Sequence, residues 1–144
     1  MKHGRRIAFD YGDVRVGVAM SDLSGLLASP HGVFSNDEML MDRVRNLVLE
    51  YEPLYFAIGM PRHLSGNASA KMESVEEFIN ELNKNFRIDI VRIDERFTTV
   101  SAAKNLQASG KNARSAKQLI DAAAAATILE MALAMERNSE ALRD

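Results

Sequence analysis

Residues 54–58, Leu-Tyr-Phe-Ala-Ile, are apolar without interruption, and a helix-patterned segment lies on each side of them. A strand with one wet face alternates apolar and polar residues, so a strand apolar at every position is covered on both faces. The chain must therefore build one layer above this strand and another below it. Ahead of it, apolar residues at 40, 44, 47, 48 and 51 recur at helical spacing, with Asn36 as the predicted N-cap and Pro53 closing the helix. Gly59-Met60-Pro61 ends the strand, and a polar loop runs to about Ser69. Met72, Val75, Ile79 and Leu82 then mark a second helix, and Ile88, Ile90 and Ile93, with Val91 on the other face, predict a further strand. Helical crossovers make the strands they join parallel, with right-handed connections.

Before these units, Ile7 and Phe9 alternate with Ala8 and Asp10, and Val14, Val16 and Val18 alternate with Arg15, Gly17 and Ala19. Two period-two runs around Gly12-Asp13 predict a hairpin. Residues His31–Phe34 predict a short third strand. After the last strand, a helix is expected from Thr99 to about Ser109 with Gly110 at C′. A final helix is expected over about Ala116–Arg137, with Ile120, Ala124, Ile128, Met131 and Met135 on one side. The sum is an α/β fold: a mixed sheet with an antiparallel edge formed by the hairpin, helices on both faces, and a single domain over 1–144 with its core at about 5–137.

Composition narrows the chemistry. At 47% apolar and 26% charged residues the chain has an ordinary globular balance. It has no cysteine, which excludes disulfides and thiolate zinc sites. His3, His31 and His63 show no ligand spacing, so any metal site is built from oxygen and suits Mg²⁺ or Mn²⁺. No stretch approaches the roughly 20 apolar residues of a membrane span. The apolar run after the basic N-terminus, Ile7-Ala8-Phe9, is too short for a signal-peptide core. A cytoplasmic protein is expected. The net charge of −2 requires any basic surface to be local.

Parallel strands end on one edge of a sheet, where open α/β folds bind ligands. Asp10 ends the first strand, and Asp94-Glu95 end the last. Asp121 lies on the alanine-rich helix with Ala124, Ala125 and Ile128 on its face. A carboxylate on an apolar face is costly unless it is paired, metal-bound or near the rim. The small alanines let this helix approach the sheet and bring Asp121 towards Asp10. Each acid alone has a plainer reading: a turn residue, a surface ion pair beside Arg96, or an acid stabilised by a helix dipole. Together they suggest a metal site, because converging carboxylates repel one another unless a cation neutralises them. Two ions roughly 3.5–4 Å apart are the usual arrangement for phosphodiester hydrolysis.

From Arg96 to Ile120 there is no Asp or Glu, while Arg96, Lys104, Lys111, Arg114 and Lys117 are basic. At the chain's overall frequency of acids, roughly three to four would fall in such a stretch. Cations beside an acidic site suit a polyanion, such as a structured nucleic acid; the alternative is a solvated helix face. Arg62, His63, Ser65 and Asn67, in the loop after Gly59, are further candidates for holding phosphate, although a plain polar loop reads as well. The loop lacks a Walker lysine pattern.

Phe9–Asp22 (FDYGDVRVGVAMSD), Gly59-Met-Pro61 with its following Ser-Gly, Asp94–Thr99 (DERFTT) and Ile120–Ala124 (IDAAA) occur in one order and spacing that resemble the bacterial YqgF-type family, over about residues 5–135. The resemblance implies a ribonuclease-H-like fold: a five-stranded sheet in the order 3-2-1-4-5 with strand two antiparallel. It implies a Holliday-junction-resolvase-like protein and a nuclease maturing the end of the small-subunit ribosomal RNA precursor. Carried over, the acidic site falls on Asp10, Glu95 and Asp121, with Mg²⁺ or Mn²⁺ as cofactor. The loop glycine and proline fall on Gly59 and Pro61, and the arginines, as nucleic-acid contacts, on Arg15 and Arg96; Gly12 is the glycine of the hairpin turn. Val14, Ala122 and Arg62 depart from the family pattern, which bears on the phosphate contacts rather than the carboxylates.

The leading expectation is a metal-dependent nuclease acting on the 5′ end of precursor 16S ribosomal RNA. A DNA-junction resolvase, which would favour a homodimer over a monomer, is the first alternative. A non-catalytic RNA- or ribosome-binding module is another. An actin- or sugar-kinase-like ATPase opens with a similar motif but needs two domains around its nucleotide.

Overall fold

The computed structural model describes residues 1–61, 66–95 and 113–143. Its elements are β1 (Ile7–Tyr11), β2 (Arg15–Ser21), β3 (Ala28–Ser35), α1 (Leu40–Tyr51), β4 (Tyr55–Met60), α2 (Gly66–Asn85), β5 (Asp89–Asp94) and α3 (Ala113–Arg143). The sheet order is β3-β2-β1-β4-β5. β1, β4 and β5 are mutually parallel, while β2 runs antiparallel to both β1 and β3. Order and direction agree with the expectation from sequence.

The two faces of the sheet differ in side-chain size, and this sets how close each helical layer comes. On one face Ile7, Phe9, Val16, Val18, Phe56 and Ile58 meet Leu40, Val44 and Leu47 of α1 and Val75, Phe78, Ile79 and Leu82 of α2. Each such side chain contributes about 1.5–3 kcal/mol on burial. The other face presents Ala8, Ala19 and Ala57 with Ile93, against Ala124, Ala125, Ile128, Leu129, Ala132 and Leu133 of α3. Methyl against methyl leaves little to separate the backbones, so α3 lies close on the sheet.

Several boundaries differ from expectation. β3 spans eight residues, not four, because it pairs with β2 from Arg15↔Ser35 to Ser21↔Ala28. Pro30, which has no N–H, is accommodated because β3 is an edge strand. Asn36 is not the cap of α1. The strand carries it into the hairpin turn, where its side-chain amide donates to the Gly12 carbonyl at 2.7 Å. The helix starts at Leu40 after Met39, which makes no side-chain cap bond. Asp37 accepts instead from Arg43 at 2.7 Å and from the Met39 N–H at 2.9 Å, and these hold its carboxyl below the usual range. Met135, expected on the buried side of the last helix, is 47% exposed; Leu129, Ala132 and Leu133 take that side. α2 begins at Gly66, so Asn67 and Ser69 lie in a helix rather than a loop. The expected helix over 99–109 with Gly110 lies outside the described residues.

One polar network crosses the sheet at the end away from Asp10. Arg6 is fully buried, and its guanidinium meets Glu136 of α3 through two bonds, at 3.1 and 2.7 Å. It also donates to the carbonyls of Gly4 at 2.6 Å and Lys2 at 2.8 Å. The Tyr55 hydroxyl donates to Glu136 at 3.0 Å; burial, then the Glu136 charge, push its pKa well above the ordinary phenol value. The chain is kept tight here by Gly25, whose φ of +71° suits glycine and whose Cβ would lie 2.7 Å from the Arg6 guanidinium.

Candidate functional site

Asp10, at the penultimate position of β1, is 3% exposed. It follows Ala8 by two residues and so points to the same face of the sheet, the one covered by α3. Its antiparallel partner on β2 is Gly17. On the other side β4 pairs in parallel through Ala8↔Ala57 and Phe9↔Ile58, and Gly59 is the next residue along it. The Asp10 carboxylate therefore rises between two positions that have no side chain.

Both glycines are required by what lies over them. A Cβ on Gly17 would collide with the Asp121 carbonyl oxygen, which is where α3 rests on β2. A Cβ on Gly59 would lie 2.5 Å from Ile128 Cδ1 and 3.1 Å from Glu95 Oε1. Glu95, just past the end of β5, thus reaches over β4 towards Asp10. Asp94 is the register partner of Met60. Asp121, 16% exposed at its side chain, accepts from Arg15 Nε through Oδ2 at 2.9 Å. Arg15 opens β2 two residues before Gly17 and is 30% exposed. Gly12 lies under the same turn, where a Cβ would be 2.7 Å from the Arg15 carbonyl oxygen.

The structure thus gathers the backbone positions of Asp10, Glu95 and Asp121 around one pair of glycines. Among the described residues, no three His, Asp or Glu side chains are preset as a metal cage, and the Asp121 carboxylate is turned to Arg15. Pro61 is buried just after β4. Arg114 and Lys117 belong to the first turns of α3, seven and four residues before Asp121. Arg62, Arg96, Lys104 and Lys111 lie outside the described residues. Reading the sequence for charge missed Gly17. A two-residue turn at Gly12-Asp13 would pair residue 10 with residue 15; the strands instead close around residues 12–15, which sets Gly17 opposite Asp10.

The two glycines differ in what a methyl group would displace. At Gly17 the obstacle is helix backbone, whereas at Gly59 it is the end of an isoleucine and a carboxylate oxygen. Gly17→Ala is expected to cost about 2–3 kcal/mol and Gly59→Ala about 1 kcal/mol, within the overpacking range. Chemical denaturation of both variants checks the order; equal losses would show that α3 does not rest on β2 as described.

Strand order, the antiparallel second strand and the helix-covered faces define a ribonuclease-H-like α/β fold. The same fold is seen in RuvC of T. thermophilus, solved in complex with a Holliday junction substrate, with a TM-score of 0.60 at 14% identity over 94% of this chain and 96% of that one. The chain belongs to the RuvX family, described as Holliday junction resolvase, whose match spans residues 4–135. Two similar relatives come from Streptomyces coelicolor, 42% identical over 96% of this chain and 85% of its own length, and Streptomyces avermitilis, 41% identical over 96% and 91%. Both are named, provisionally, as pre-16S rRNA nucleases. Among the described residues no helix is long and apolar enough to cross a membrane.

Proposed function

We propose that this protein is a divalent-metal-dependent nuclease that trims the 5′ end of precursor 16S ribosomal RNA in the cytoplasm, with Asp10, Glu95 and Asp121 as its metal-binding carboxylates. The observation that carries this reading is the convergence of those three positions over Gly17 and Gly59. The donors fit a hard cation in kind: all are carboxylates, and the missing side chains at Gly17 and Gly59 let Asp121 and Glu95 close in on the strands that flank Asp10. A bound Mg²⁺ or Mn²⁺ would neutralise the converging acids and polarise a phosphate there.

The residues of the chain do the positioning. Asp10, buried and centred in the sheet, is the fixed point. Glu95 follows the end of β5 and Asp121 lies in the third turn of α3, and the two flank Asp10 from opposite sides, over Gly59 and Gly17. Arg114 and Lys117, with Lys104, Lys111, Arg96 and Arg62, supply cations for the phosphates flanking the scissile bond. The family description and the fold shared with a junction-bound resolvase favour a second reading, in which the substrate is a four-way DNA junction.

Incubation with precursor 16S RNA and with a synthetic four-way junction, in parallel and with or without Mn²⁺, separates the two. Cleavage of the RNA only in the presence of Mn²⁺ is expected. Faster cutting of the junction, by a twofold dimer, would establish the second reading. Inertness towards both would overturn the proposal.

A further inference from the structure

Two arginines contact α3, and they are held in opposite ways. Arg6 is fully buried, meets Glu136 through two nitrogens and donates to two carbonyls besides. Every side of that guanidinium is committed, as befits a scaffold. Arg15 meets Asp121 through Nε alone, and both side chains reach solvent, at 30% and 16% exposure. It lies on the face of Asp10 and Gly17, at the outer rim of the same edge. A single charge-assisted bond at a partly wet site is readily exchanged.

We propose that Arg15 is a positioning residue: its Nε holds Asp121 Oδ2 until a divalent cation takes that carboxylate, and the released guanidinium then captures a phosphate of the nucleic acid. The proposal rests on the metal reading given above. A guanidinium and a divalent cation repel each other, so one carboxylate so close to the site does not serve both well. The planar fork of arginine matches phosphate oxygens, which gives the freed group a destination. Coupling of this kind is reciprocal: phosphate that draws Arg15 away leaves Asp121 open to the cation, and the cation frees Arg15 for phosphate. Asp121 thereby keeps a partner until the cation arrives.

The test is Mn²⁺ binding to the whole protein without nucleic acid, followed by electron paramagnetic resonance of the free ion. Arg15→Gln is expected to tighten Mn²⁺ binding about 5- to 10-fold, the lower end of couplings between linked sites. In an Asp121→Asn background the same change is expected to leave affinity unaltered, because Arg15 acts through that carboxylate. Should Arg15→Gln lower the melting temperature, Arg15→Lys replaces it, with a smaller gain in the same direction. Unchanged or weaker binding in the Arg15 variants, or an equal gain without Asp121, overturns the proposal. Asp10→Asn separates this failure from that of the parent reading. Loss of Mn²⁺ binding in Asp10→Asn with no effect of Arg15 defeats the exchange alone, whereas wild-type affinity in Asp10→Asn defeats the metal site and the exchange with it.

Discussion

Asp10→Asn is expected to lower Mn²⁺-dependent cleavage by about 10³-fold or more while the protein stays folded. Asparagine matches aspartate in shape, so the narrow position between Gly17 and Gly59 is filled as before. What disappears is a negative charge at a site 3% exposed, where solvent does little to screen it. Each 1.36 kcal/mol lost from transition-state stabilisation is a tenfold loss of rate, and one ligand carboxylate supplies several kcal/mol. Stability should change little, since the amide occupies the same space. Single-turnover cleavage and thermal melting measured on one preparation check both halves. Cleavage within tenfold of wild type would remove Asp10 from the chemistry.

Glu136→Ala is expected to destabilise the protein by about 3–5 kcal/mol, the cost of leaving a buried charge without its partner. Arg6 has no exposed surface and loses both carboxylate contacts at once, and the Tyr55 hydroxyl loses its acceptor. For a chain of this length, a loss of that size lowers the melting temperature by about 6–20 °C. Because the network lies at the end of the sheet away from Asp10, cleavage per folded molecule at low temperature should be preserved. Replacing Arg6, Glu136 and Tyr55 together by Met, Leu and Phe should recover most of the loss, since a packed apolar trio needs no counter-charge. A fall of under about 2 °C for Glu136→Ala would show that water reaches Arg6 and compensates its charge.

What could be read from the chain was whatever depends on neighbours within a few residues. The run at 54–58 and its flanking helices determined the parallel half of the sheet, and the turn at Gly12-Asp13 determined the antiparallel half. The placement of Asp10 and Glu95 at one edge of the sheet followed from strand direction alone, because parallel strands share an edge. Local rules failed where a remote partner outbid them. Asn36 has the chemistry of a helix cap, but the Gly12 carbonyl, 24 residues away in sequence, claimed its amide. Met135 fits the helical stripe that includes Ile128, yet Leu129, Ala132 and Leu133 face the sheet there and Met135 is left exposed. Arg15 read as a phosphate contact, and its attachment to Asp121 spans 106 residues, beyond any periodicity. Arg6 read only as part of a basic N-terminus, and its partner Glu136 lies 130 residues away.

α3 is also a measuring rod. It touches the sheet where Asp121 rests on Gly17 and is fastened again where Glu136 meets Arg6. Fifteen residues separate those two points, a span of about 22 Å and slightly more than four turns. One residue more or fewer in that interval would swing one anchor about 100° around the helix axis relative to the other. The rotational phase between the two ends is therefore fixed by the residue count of the helix, and an insertion or deletion in that interval, unlike a side-chain change at Glu136, would turn Asp121 away from its place.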